Sequence, residues 1–440
     1  MSNPAADTAH EATPAGPSRD VRRRAIIACL IGNLFELFDF GVYGYFAMQI
    51  GKAIFPSHDP VVSTLASFAT YGVGFLMRPV GAAVLGSFGD RRGRRAALAL
   101  TITLMAVATG FTGLVPSYAR IGVWAPVLLV ICRLLQGFST GGEWGGATAF
   151  LVEYAPPGRR GFFGSLQQLS TGIAQLCSIG SALLLNSVLD KPDLEHWGWR
   201  LPFLLGFILA PVGYYLRARV AESPEYVRTV EHGNVARTPL KSAFTTYRAA
   251  VLTCFGMTMI WTVASYVFTT YLATYAVQSL AMLPTAALTA TALGAIANSV
   301  TVPISGYLSD RLGKRLLILS AAGFVLLPMP LFLYAAHEHS FAALAVVAIV
   351  AGVCLGIYNG AAPGLLCALF PTRVRYTALS VGYNGAVMLF GGFAPFIATA
   401  LVRQTGSPIA PSFYVVACAL GSLLVLSLPL HTYRTGAGDD

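Results

Sequence analysis

Long apolar stretches alternate with short polar breaks along the chain, from about residue 25 to residue 432. Charge clusters and Pro/Gly turns divide these stretches into runs at 25–50, 61–89, 94–116, 124–152, 161–189 and 199–217. A second set follows at 248–278, 284–309, 314–336, 340–369, 374–403 and 409–432. About 20 apolar residues in helical conformation span the hydrocarbon core of a bilayer. The pattern therefore predicts an all-α membrane protein with twelve transmembrane helices in two pseudo-symmetric six-helix halves. Residues 1–24 are expected as a disordered tail and 25–217 as the first half. A polar linker at 218–247 precedes the second half at 248–432, and 433–440 forms a short tail.

Composition sharpens this reading. Of 440 residues, 55% are hydrophobic and only 11% are charged, whereas soluble domains carry about 25% charged residues. An ordinary soluble enzyme is excluded. The net charge of +10 would suggest nucleic acid in a soluble protein, but its distribution has another meaning. Of the 29 basic residues, 22 lie in alternate gaps between apolar runs, including Arg91–Arg95, Arg159–Arg160 and Arg311–Arg315. Basic loops stay on the cytoplasmic side, so both termini are expected in the cytoplasm. The basicity is topological, and no nucleic-acid partner is implied. The seven cysteines all fall in apolar runs without metal-ligand spacing. No metal or organic cofactor is signalled.

A repeat supports the division into halves. GSFGDRRGRR (86–95) ends the second run and GYLSDRLGKR (306–315) ends the eighth, an offset of half the chain. A weaker echo pairs Pro157–Arg160 with Pro371–Arg375. Two homologous halves suit an alternating-access carrier with its substrate site at mid-membrane between them.

The element G-x-x-x-D-R-x-G-R/K-R, present in both halves, resembles the loop signature of the major facilitator superfamily. Three longer stretches are similar to its metabolite–proton symporter family: GNLFELFDFGVYGYFA (32–47), FLMRPVGAAVLGSFGDRRGRR (75–95) and RLLQGFSTGGEWGGATAFLVEYAPPGRRGFFGSLQQ (133–168). The resemblance implies uptake of a small organic acid with protons across a bacterial inner membrane: citrate, tricarballylate, 2-oxoglutarate, shikimate, or proline and betaine. GIYNGA (356–361) and FGGFAPFIATALVRQTG (390–406) look most like citrate and tricarballylate members, whereas PTRVRYTALS (371–380) also resembles the osmolyte carriers. A functional monomer is expected.

Ionisable groups within a bilayer cost about 2.5–3.5 kcal/mol each on insertion scales, so each needs a reason. Glu36 and Asp39 lie three residues apart in the first span, on one helical face that Asn33 and Tyr43 continue. Arg78 lies in the second span; Arg133, Gln136 and Glu143 lie in the fourth. The second half has no acid well inside a span, so proton coupling is expected from Asp39, Glu36 or Glu143. Arg78 and Arg133 are expected to compensate charge and hold carboxylates; a buried ion-pair set that only braces three helices is the alternative. Asn33, Tyr43, Gln136, Gln167, Gln168, Tyr358, Asn359, Tyr383 and Asn384 are the neutral candidates for substrate contact, since amides and phenols satisfy carboxylates and hydroxyls without fixed charge. Gly137, Gly141 and Gly145, spaced by four, read as a close helix-packing face.

The resemblance further implies a gating network of Asp90, Arg91, Arg94, Glu153, Arg160, Asp310 and Arg311 around the cytoplasmic loops. ATP-driven transport is disfavoured because no G-x-x-x-x-G-K-[ST] motif occurs. All seven histidines fall in loops or tails, which argues against a membrane-embedded enzyme. A drug–proton antiporter or a transporter-like sensor shares the expected fold.

Overall fold

The computed structural model describes residues 19–92, 94–153, 155–156, 158–207 and 243–429. The two chain ends beyond these bounds, and 208–242, which hold the end of the sixth expected run and most of the expected linker, lie outside the described residues. Among the described residues there is no β-strand. Among these residues eight helices are long and apolar enough to cross a membrane, or nine if the bent pair Arg315–Leu326 and Pro328–Glu338 counts as one span.

The helices of the first half are α1 (Arg19–Tyr45, continued by Ala47–Ile54), α2 (Pro60–Leu85, helical on to Arg92), α3 (Arg94–Leu114), α4 (Trp124–Ala149), α5 (Arg160–Val188) and α6, described over 201–207. In the second half come α7 (Arg248–Ser279), α8 (Pro284–Leu312), α9 (Arg315–Leu326 with Pro328–Glu338), α10 (Phe341–Ala368), α11 (Val374–Thr405) and α12 (Ala410–Ser427). Helix α1 begins at Arg19, six residues ahead of the expected boundary.

Local chemistry sets several of these limits. The Asp59 carboxylate accepts the Val61 N–H at 2.8 Å, with Pro60 opening α2; an acid cap and a first-turn proline both suit a helix start. Ser340 caps α10 in the same way. Gly313, at φ +54°, ends α8 inside the second copy of the repeat, a left-handed conformation that glycine adopts without a Cβ penalty. Helix α9 bends by 43° at Pro328, where a proline removes a backbone donor.

Two seams join the halves. Helix α5 packs on α8 and α10, and α11 packs on α2 and α4. Within the first half, α2 and α4 meet backbone to backbone. A Cβ on Gly137 would fall on the Gly74 carbonyl, and one on Gly141 would fall on the Arg78 carbonyl. The four-residue glycine spacing is thus a packing device, and it fixes Arg78 against α4. Short π-helical segments interrupt α7 at Tyr266–Tyr271 and α11 at Val387–Gly391, and they meet where Gly391 faces Thr262 and Tyr266.

Bonds between the halves occur at both ends. At the end carrying the repeated loops, Asp310 of α8 accepts the backbone N–H groups of Gly161 at 2.7 Å and Phe162 at 3.2 Å, the start of α5. At the opposite end Arg403 pairs with Asp59 at 2.9 Å and Gln278 donates to Thr64 at 2.9 Å. A cavity of about 100 Å³ is held between these two layers.

Candidate functional site

The cavity lies on the seam, with walls from both halves. From the first half come Asn33, Glu36, Phe40 and Gly41 on α1, Tyr71 and Arg78 on α2, Thr140 and Trp144 on α4, and Gln168, Thr171 and Gln175 on α5. Positions 33, 36, 37, 40 and 41 repeat at helical spacing, so one stripe of α1 faces inward. The three α5 residues recur in the same way. From the second half come Trp261, Thr262, Ser265, Tyr266, Thr269 and Thr270 on α7, Asn298 on α8, Leu355 and Asn359 on α10, and Tyr383 on α11.

Arg78 is the cation of this cavity. Its guanidinium lies 4.1 Å from the Phe75 ring centroid and 4.9 Å from that of Phe40. Ring faces attract such a cation. Its Nε and Nη2 are buried and have no hydrogen-bond partner. The Tyr266 hydroxyl stands beside the same guanidinium but leaves these two atoms without a partner. Unmet donors on a charged group are costly in a low-dielectric site, so an acceptor reaching Nε and Nη2 would complete the arrangement.

Arg133 is placed differently. It is fully buried within the first half and pairs with Asp39, which is 1% exposed: Nη1 lies 3.2 Å from Oδ2, and Nη2 donates to Oδ1 at 3.4 Å. Its guanidinium stands over the Tyr43 ring at 4.3 Å. Neither Arg133 nor Asp39 lines the central cavity. Asp39 instead opens, with Glu36 and Glu143, on a second and smaller pocket walled by α1, α3, α4 and the start of α6, with Ile102, Met105 and Thr109. Glu36 belongs to both pockets. The face predicted to carry Asn33, Glu36, Asp39 and Tyr43 together therefore divides, with Asn33 on the cavity, Asp39 on the small pocket, Glu36 on both and Tyr43 on neither.

The remaining candidates separate in the same way. Asn33, Gln168, Asn359 and Tyr383 line the cavity. Asn33 donates to Ser170 at 2.7 Å, tying α1 to α5. Asn359 accepts from the Trp261 indole and donates to Asn298 at 2.9 Å. Tyr383 stacks on Trp144 with centroids 3.5 Å apart and planes within 6°. The others are engaged elsewhere. Tyr43 donates to the Ser67 carbonyl at 3.1 Å, Gln136 to Thr109 at 2.9 Å, and Tyr358 to the Met257 carbonyl at 2.6 Å. Gln167 accepts from Thr148 at 2.9 Å. Asn384 crosses the seam to the Gly141 carbonyl at 3.1 Å.

Of the residues expected in a gating network, Asp310 bridges the halves as described. Arg311 is exposed and reaches Tyr307 at 3.4 Å, and Arg160 opens α5 on the surface. The side chains of Asp90, Arg91, Arg94 and Glu153 lie outside the described residues.

Sequence reasoning passed over the α7 hydroxyls, Thr262, Ser265, Thr269 and Thr270. Ser265 and Thr269 bond back to carbonyls on the preceding turn while the buried Thr262 hydroxyl has no partner, and nothing in the sequence separates such residues from packing residues.

Comparison with known proteins fits this architecture. The family model for sugar (and other) transporters matches residues 24–243, and that for the Major Facilitator Superfamily matches 278–437. The citrate-proton symporter of Klebsiella pneumoniae is 36% identical over 417 residues, 94% of this chain and 92% of that protein. The chain belongs to the major facilitator superfamily. The proline/betaine transporter of Escherichia coli K12 is 35% identical over 415 residues, 91% of this chain and 82% of its own. Among solved structures, the proton:xylose symporter XylE bound to 6-bromo-6-deoxy-D-glucose superposes with a TM-score of 0.75 at 16% identity, covering 92% of this chain and 94% of XylE. An inward-facing bacterial homolog of the human lysosomal transporter Spinster gives 0.62 at 16% identity, covering 93% and 98%. This major facilitator chain is a multi-pass membrane transporter and not an enzyme. Its family and fold agree with the sequence reading; the relatives divide between citrate and proline/betaine at nearly equal identity.

Proposed function

We propose that this transporter is a proton-coupled symporter that imports a small organic acid, with one carboxylate held by Arg78. The observation that carries the reading is the buried guanidinium of Arg78 in the central cavity, with two donors unmet. A carboxylate accepts two N–H bonds from the edge of an arginine. The amides and hydroxyls of Asn33, Gln168, Thr171, Gln175 and Asn298 would then receive the rest of a polar substrate.

Proton binding is assigned to Asp39, with Glu36 and Glu143 on the same small pocket. Ionised Asp39 and Arg133 attract strongly in a low-dielectric interior. Adding a proton to the Asp39 carboxylate removes its charge and loosens the pair, which changes how α1 and α4 hold each other. That gives the halves two states of different preference, as alternating access requires. Both termini are placed in the cytoplasm of a bacterial cell, where the basic loops would also lie. One chain supplies every wall of the cavity, so a monomer suffices.

Partly protonated citrate, or a related di- or tricarboxylate, is the first reading of the substrate. One cavity cation cannot balance three ionised carboxylates, so such a substrate would enter with a proton of its own or with Glu36 neutral. A second reading is a zwitterionic osmolyte such as proline or betaine. It is favoured by the aromatic wall of Phe40, Tyr71, Trp144, Trp261, Tyr266 and Tyr383, because ring faces accept ammonium groups.

The test is uptake of labelled citrate and, separately, labelled betaine into proteoliposomes with an acidic exterior. Citrate accumulation blocked by tricarballylate supports the first reading, and betaine accumulation blocked by proline supports the second. If neither accumulates above its equilibrium level in vesicles holding folded protein, both substrate readings fail.

A further inference from the structure

Helix α4 is continuous to Gly141 and resumes at Trp144, leaving Gly142 and Glu143 as a turn between two helical pieces. Three separate features meet there. Glu143 lines the small acid-bearing pocket. Trp144, the next residue, lines the central cavity. Consecutive helical residues point about 100° apart, so neighbours at this turn reach spaces on different sides of one helix. The third feature comes from the other half: α11 bonds to the carbonyls at the turn. Asn384 donates to the Gly141 oxygen at 3.1 Å and Tyr376 to the Gly142 oxygen. Gly145 and Gly146 lie against Ser380 and Tyr376, so the glycines after the turn give α11 room to come that close.

Trp144 itself is incomplete. It is 7% exposed, and its Nε1 is a buried donor with no hydrogen-bond partner. Its ring is held from two sides, stacked on Tyr383 and edge-on to Trp261 with centroids 5.7 Å apart. A ring so fixed presents its N–H in one direction without further loss of freedom. Since the residue lines the cavity, a ligand there is a candidate acceptor for it.

Building on the symporter reading above, we propose that Trp144 is a substrate-contacting residue and that the Gly142–Glu143 turn couples substrate to proton. The indole N–H donates to an oxygen of the substrate, a carboxylate or a hydroxyl. The ring stack passes that contact to α11 through Tyr383, and the same helix holds the turn through Asn384 and Tyr376. Glu143 rides on that turn in the pocket of Asp39, so occupancy of one space alters the geometry of the other. By linkage, protonation must then alter substrate affinity to the same extent.

The experiment uses the intact protein in proteoliposomes, with citrate and betaine as labelled probes, and takes half-saturation at several external pH values. W144F keeps an aromatic ring for the stack and removes the donor. It is expected to raise half-saturation about tenfold or more, the usual loss for a hydrogen bond to a charged group, and to flatten its pH dependence. Y376F deletes one bond on the Gly142 carbonyl and touches neither space. It is expected to keep wild-type half-saturation in exchange at one pH while losing part of the pH dependence. Wild-type half-saturation in W144F overturns the contact, and a wild-type pH profile in Y376F overturns the coupling. Should the unmodified protein accumulate neither probe, both substrate readings on which this proposal rests have failed, a result visible before any variant is measured.

Discussion

Asp39→Asn removes one charge from a pair that has almost no access to solvent. The two side chains are 0% and 1% exposed, with nitrogen–oxygen distances of 3.2 and 3.4 Å. With charge centres about 4 Å apart and an effective dielectric constant near 20, the attraction is about 4 kcal/mol. Breaking buried pairs by removing one partner costs about 3–5 kcal/mol in general, so two independent routes give the same size. Most of that loss is the bare Arg133 left behind. Arg133→Gln alone should therefore be costly as well, whereas the double variant D39N/R133Q should recover a large part of the stability. The assay is equilibrium unfolding in mixed micelles, followed by tryptophan fluorescence, for all four proteins of the cycle. If the single losses add to the double within about 0.5 kcal/mol, as for independent sites, the pair carries no coupling and the reasoning is wrong. The same D39N protein should exchange labelled substrate across the membrane but not accumulate it under a pH gradient; sustained accumulation would remove Asp39 as the proton site.

Other consequences can be tested by similar means. Arg78→Lys keeps the charge but loses the planar fork of donors, so half-saturation for substrate should rise about tenfold, and an unchanged value would separate Arg78 from the substrate. Asp310→Asn replaces an anion that accepts two backbone N–H groups at the start of α5. A loss of about 1 kcal/mol is expected there, seen as faster thiol labelling of a single cysteine placed in that seam, and identical labelling would show that the Asp310 contact does not hold the halves together. Gly137→Ala puts a methyl on the Gly74 carbonyl. Overpacking of this kind costs about 1–3 kcal/mol, and folded yield in detergent should fall, whereas a wild-type yield would mean that α2 and α4 separate freely.

The division into halves was legible because it rests on one-dimensional signals. The DRxGxR repeat, the alternate basic loops and the spacing of apolar runs survive without any knowledge of packing. The ionisable set was legible for the same reason, since each charge inside a run is conspicuous. The roles of those charges were not. Arg78 and Arg133 look alike in the sequence, yet one faces the seam and the other faces Asp39. That difference depends on the rotation of α2 and α4 about their axes, which the glycine contacts between them fix. Tyr43, Gln136 and Tyr358 have the polarity of ligand contacts, but each spends it on a neighbouring helix. The glycine run of α4 read correctly as a packing face, while the turn at Gly142–Glu143 within it emerges only from the backbone.

The unmet donors of Arg78 also bear on how tightly the two fluxes are tied. Closing the cavity without an anion buries Nε and Nη2 with nothing to accept from them, at about 1–3 kcal/mol for each. Each 1.4 kcal/mol is a factor of ten in population. An empty carrier is thus held back from the closed state, while a loaded one passes through it. The group that recognises the carboxylate would by the same physics suppress futile turnover, in which protons run inward with no cargo. Arg78→Gln vesicles should then acidify faster than wild-type vesicles when no substrate is present, and an equal rate of acidification would show that the leak is barred by some other part of the molecule.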